Sequence, residues 1–137
     1  MGEIVVDTSV ALKWIFTREA NARKALDLLV DHLAGRCHIA VPSCFNHEAP
    51  HAPRHSAYRL SLGEVRAAVR FLRQLGLRTH PTSPSLVSCA LELSYAYGIP
   101  VFDAYFVATA IRRNCRFVTA DRKAYNRMSR LSFVQLL

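Results

Sequence analysis

The chain has no apolar run of membrane-spanning length. Stretches such as Val10 to Leu12 or Phe106 to Ala108 fall far short of the roughly 20 residues that a bilayer crossing needs. It also lacks the basic segment and small-residue cleavage site of a secretory leader, because Met1-Gly2-Glu3 feeds directly into a strand-like run. The expected setting is the cytoplasm, with no membrane partner. Cysteine is sparse and wrongly spaced for a metal. Cys37, Cys44, Cys89 and Cys115 form no C-x-x-C pair, which argues against structural zinc or a thioredoxin-like motif and for reduced, half-buried thiols. Repeats and low-complexity segments are absent, and 137 residues suit one domain, taken as 1–137.

Acid is the scarcest charge. Ten Asp and Glu face eighteen Lys and Arg, for a net charge of +8, and fifteen of the eighteen are Arg. Arginine's planar fork matches phosphate oxygens, so the balance points to a polyanionic partner: nucleic acid or an acidic protein segment.

What is present alternates between strand and helix signals. β-Branched Ile4-Val5-Val6 and Phe117-Val118-Thr119 read as buried strands, with further short strands at 38–41, around 77–80 and near 132–134. Between them lie helical spacings: Val10, Ala11, Trp14 and Ile15; Ala22 to Leu33, stopped by Gly35; and Val65 to Leu75, opened by the capping box Ser61-Leu62-Gly63-Glu64. Ser83-Pro84 starts another helix, which Gly98 stops. Val101 to Ile111 is apolar nearly all round and reads as a buried helix. Pro50 and Pro53 are expected to interrupt the helix that starts at Ser43. Strands separated by helices predict an α/β fold, a mostly parallel sheet with helices on both faces.

Six of the ten acids fall on amphipathic faces or ends and read as solvated. Four do not: Asp7 and Asp121 follow strands, Asp103 heads the apolar helix, and Glu48 follows the second strand. Carboxylates among apolar neighbours are costly unless a cation compensates them. Ligands of open α/β sheets bind at the C-terminal strand edge, where two of these acids would meet. Each could otherwise be a helix N-cap.

Ile-Val-Val-Asp-Thr-Ser-Val-Ala-Leu-Lys-Trp (4–14), Val-Phe-Asp-Ala-Tyr-Phe-Val-Ala-Thr-Ala (101–110) and Phe-Val-Thr-Ala-Asp-Arg (117–122) resemble, in order, the three signature blocks of PIN-domain proteins. The likeness is greatest to the VapC-type toxins of prokaryotic toxin–antitoxin pairs. It implies a sheet of about five strands flanked by helices, and a ribonuclease dependent on Mg²⁺ or Mn²⁺. By the same resemblance Asp7, Glu48, Asp103 and Asp121 form the metal-binding, catalytic quartet, lined by the hydroxyls of Thr8, Ser9 and Thr119. The partners it implies are RNA, a small cognate antitoxin whose tail covers the site, and a second copy of the chain.

Three further features qualify this reading. Arg112, Arg113, Arg116, Arg122 and Lys123 flank the last two acids in sequence and are candidate contacts to an RNA backbone, as is Arg127; Arg66, Arg70 and Arg73 share a helical face elsewhere. Tyr105 and Tyr125 are candidates for base stacking or for the core. His47-Glu48-Ala49-Pro50-His51 is literally H-E-x-x-H, but a zinc protease needs a continuous helix there. Pro50 and Pro53 also leave open a PIN domain that binds RNA or protein without cutting.

Overall fold

Ile4, Val5 and Val6 are buried because β1 (Gly2–Val6) is the middle strand of five. A computed structural model describes residues 2–137, and all further statements concern those residues. The remaining strands are β2 (Cys37–Pro42), β3 (Arg78–His80), β4 (Arg116–Thr119) and β5 (Val134–Leu136). They are ordered β3-β2-β1-β4-β5, and every pairing is parallel. Val5 lies level with Ala40 and Phe117, so the apolar runs of three strands form one central layer.

Parallel strands need crossovers, which the helices supply. α1 (Thr8–Ile15) and α2 (Ala22–Leu33) join β1 to β2; α3 (Phe45–Arg54) and α4 (Leu62–Gln74) join β2 to β3. α5 (Pro84–Tyr97) and α6 (Val101–Arg113) return the chain to β4, and α7 (Arg122–Met128) leads to β5. Right-handed crossovers put the first four helices on one face and the last three on the other. Contacts of α1 with α2 and α3, of α3 with α4, and of α5 with α6 fit that division. This is the α/β sheet flanked by helices that the pattern predicts. No single described helix is long and apolar enough to cross a membrane.

The buried face of α2 carries Ala25, Leu29 and His32 at helical spacing. His32 earns its burial by two hydrogen bonds. Nδ1 accepts from the Ile39 N–H at 3.0 Å, and Nε2 donates to the Leu75 carbonyl at 2.9 Å. A carbonyl can only accept, so the proton resides on Nε2. One ring thus ties α2 to β2 and to the end of α4. Trp14 Nε1 likewise donates to the Ala25 carbonyl at 2.8 Å, joining α1 to α2.

Three local expectations need correction. α3 runs through Pro50 to Arg54, with Pro53 inside it. Phe45, Ala49 and Pro53 recur every four residues on its buried face, and α3 packs against α1 and α4. That burial outweighs the missing N–H of Pro50, whose ring and whose would-be acceptor residue, Asn46, both face solvent. β5 lies at 134–136 rather than 132–134. The helix at 101 is not apolar-buried all round, because Phe102 and Ile111 are exposed. The capping box at Ser61 and Glu64 and the caps at Ser83 and Gly98 form as predicted. All four cysteines are free.

Candidate active site

Asp7 ends β1 and caps α1, so its carboxylate sits where the central strand stops. Oδ2 accepts from Thr119 Oγ1 at 2.5 Å, across 112 residues of sequence. Oδ1 accepts from Ser9 Oγ and, at 3.3 Å, from the Val10 N–H. The two hydroxyls are held in turn by β4's exit: Ser9 Oγ accepts from the Ala120 N–H at 2.9 Å, and Thr119 Oγ1 from the Asp121 N–H at 3.1 Å. The exits of β1 and β4 are therefore stitched together around one carboxylate.

The other acids arrive by separate routes. Asp121 follows β4 and caps α7, accepting from the Ala124 N–H at 3.1 Å. Gly98, at φ 64°, ends α5 in the left-handed conformation, and the chain turns by 115° into α6, which carries Asp103 in its first turn. Glu48 lies in the first turns of α3, and its Oε2 accepts from Thr8 Oγ1 at 2.6 Å. Asp7, Thr8, Ser9, Glu48, Asp103 and Asp121 line one cavity of about 80 Å³. A larger cleft of about 770 Å³ adjoins it, sharing Asp103 and Asp121 and walled by Tyr95, Ile99, Lys123 and Arg127.

Electrostatics mark this cluster as strained in the absence of a cation. Burial pushes the Asp7 carboxyl up to about 6, against its hydroxyl and N–H donors, and the charge of Asp103 adds to the rise. Asp103 is raised as well, by burial and then by the charges of Glu48 and Asp121. Carboxylates that oppose one another's ionisation form a hard-oxygen donor set, suited to a divalent cation. Among the described residues, no three acidic, His or Cys side chains converge tightly enough to hold an ion directly. A hard divalent cation held by so open a set would keep several of its waters.

A family model for the PIN domain matches residues 4–131. The chain belongs to the PIN-domain family. Among solved structures, this PIN domain is similar to a chain of VapBC2 from Rickettsia felis bound to a DNA fragment from their promoter. That match has a TM-score of 0.68 at 17% identity, over 98% of this chain and 97% of the other. DNA-bound VapBC from Salmonella typhimurium gives 0.67 at 13% identity, over 100% and 98%. A toxin-antitoxin complex from Klebsiella pneumoniae gives 0.66 at 17%, over 96% and 95%. At such identities these likenesses bear on the fold. No curated protein matches by sequence.

The basic candidates of this PIN domain separate into two places. Arg122 and Lys123 open α7 beside Asp121, and Lys123 walls the cleft together with Arg127. Arg112 and Arg113 lie in the last turn of α6, about 14 Å along the helix from Asp103. Arg112 bonds Ser85, Arg113 bonds Glu3 at 2.6 Å, and Arg116 begins β4 and bonds Gln135. These three face the opposite edge of the sheet from the acids, so their proximity in sequence is not proximity in space. Tyr105 and Tyr125 pack against the core. The H-E-x-x-H segment is helical after all, yet its Glu48 engages Thr8 and no third ligand joins its histidines.

Two residues stand outside the sequence pattern: Tyr95, which lines the cleft with Lys123, and the buried His32. Tyr95 is 89% exposed on α5. Its signal was available: an aromatic on the polar side of an amphipathic helix.

Proposed function

We propose that the protein is a divalent-metal-dependent endoribonuclease, the toxin of a toxin–antitoxin pair acting in the cytoplasm. The observation that carries this reading is the convergence of Asp7, Glu48, Asp103 and Asp121 on one cavity at the sheet's C-terminal edge. Asp7 and Asp121 would ligate Mg²⁺ or Mn²⁺ directly, with Asp103 and Glu48 acting through bound waters. Such an ion, when bound, supplies a water of lowered pKa and offsets the phosphodiester's negative charge.

The protein's own groups set up that chemistry. Ser9, Thr119 and the Val10 N–H fix both oxygens of Asp7, so its orientation is settled before substrate arrives. Thr8 does the same for Glu48. Lys123, Arg127 and Arg122 supply positive charge along the cleft where an RNA backbone would lie. Arg112, Arg113 and Arg116 are left out of that contact surface.

A protein partner is proposed for the apolar rim. Leu91, Tyr95 and Phe102 are exposed beside the cleft, a patch suited to a second copy or to an antitoxin segment. Similarity to chains of VapBC complexes supports the antitoxin assignment.

Incubation of a structured RNA with the protein tests the activity. Cleavage is expected with Mg²⁺ or Mn²⁺, none with EDTA, and none by Asp121→Asn. RNA retained uncut under every divalent ion would replace the nuclease with a binding module.

A further inference from the structure

α3 carries a pattern that the acid cluster leaves unused. His47, His51 and His55 recur every four residues on its exposed side, each one turn from the next. The His55 N–H still donates to the His51 carbonyl at 3.0 Å, so the turn joining these two persists although His55 caps the helix. Their ring centroids are 4.5 Å apart, with planes inclined by 41°. Among the described residues, neither ring has a hydrogen-bond or ion-pair partner, and His47 forms no comparable ring pair.

That spacing has a chemical reading. Two imidazoles bound to one ion through nitrogens about 2.0–2.1 Å from it bring their centres to about 4.5–5 Å at ligand angles near 90–105°. The separation of the rings thus matches that of two imidazoles on one ion. Imidazole nitrogen selects Zn²⁺, Ni²⁺ or Cu²⁺ over Mg²⁺, which prefers carboxylate and water oxygens.

We propose that His51 and His55 form a surface chelate for a borderline transition ion, Zn²⁺, Ni²⁺ or Cu²⁺, with water filling the other positions. Glu48 precedes His51 by three residues, so α3 carries a hard-oxygen donor and an imidazole pair about one turn apart. The two sites take different classes of cation. The chelate also spans Pro53, which has no N–H to offer the Ala49 carbonyl, and so replaces a missing backbone link with a metal bridge.

Titration calorimetry of the full chain with NiCl₂, under reducing conditions and in excess Mg²⁺, tests the site. One ion per chain is expected, undisturbed by Mg²⁺ and retained in Asp7→Asn. Affinity falls at least about tenfold in His51→Ala and in His55→Ala, because each removes one of two protein ligands. Both positions are exposed, and circular dichroism checks that each variant keeps its fold. Electron paramagnetic resonance of the Cu²⁺-loaded protein shows two coupled nitrogens, reduced to one in either variant. Unchanged affinity in both His variants, displacement by Mg²⁺, or loss in Asp7→Asn overturns the assignment.

Discussion

Thr8 Oγ1 donates a 2.6 Å hydrogen bond to Glu48 Oε2, so the residue after the first acid fixes the fourth. The bond spans α1 and α3, two helices whose first turns both point at the cavity. Glu48 has no other anchor among the described hydrogen bonds.

Thr8→Val removes that donor while keeping the side chain's shape. RNA cleavage is expected to fall about tenfold, because a misplaced catalytic group loses rate steeply with small displacements. Thr8→Ser restores most of it. The two variants and the parent, compared at saturating Mg²⁺, separate lost orientation from lost packing.

Asp7 makes the stability of the metal-free protein fall as pH rises. Its folded value of about 6 exceeds the ordinary carboxyl value of 3.8, so the folded state binds the proton more tightly than the unfolded chain. The stability this group contributes is full below about 3.8 and is lost as pH rises through about 6. In EDTA, the parent is expected to lose about 3 kcal/mol across that window relative to Asp7→Asn, which lacks the titration. Urea denaturation at several pH values measures the difference. Cleavage is expected to be abolished in the variant at every pH.

Pro50→Ala restores a backbone donor toward Asn46 in an exposed helix interior. The variant is expected to be more stable by about 1–3 kcal/mol. Its cleavage rate stays within about twofold, because Glu48 is fixed from the α1 side. Chemical denaturation and a cleavage assay on one preparation check both. A large gain in rate would show that the proline does displace Glu48.

His32→Leu leaves the Ile39 N–H and the Leu75 carbonyl without partners in the core. Destabilisation of about 3 kcal/mol is expected, read as a lower urea midpoint at unchanged slope. A loss below about 1 kcal/mol would mean that water or a shifted neighbour satisfies both groups.

The acids were legible because each interrupts a pattern. A carboxylate that ends a β-branched run, or heads an apolar helix, has no packing reason to be there, and Asp7, Asp121 and Asp103 all stand out this way. α3 departs from the sequence expectation because the buried stripe of Phe45, Ala49 and Pro53 opposes proline's local penalty. Arg113 and Arg116 were grouped with the acids by chain distance. A helix that starts at one edge of a sheet and ends at the other carries its last residues away from its first, as α6 does. The burial of His32 is not legible locally, since nothing near it in sequence reveals that the Ile39 amide and the Leu75 carbonyl both need a partner there.

The bond from Thr119 to Asp7 joins the first strand of the chain to the fourth. During synthesis, the N-terminal two-thirds can emerge and begin to pack while Asp7 still lacks Thr119, Asp121 and the strand that carries them. A ribosome making this protein therefore holds an incomplete site until Asp121 has emerged. The order of strands in the sheet acts as a timer for the assembly of the acid cluster.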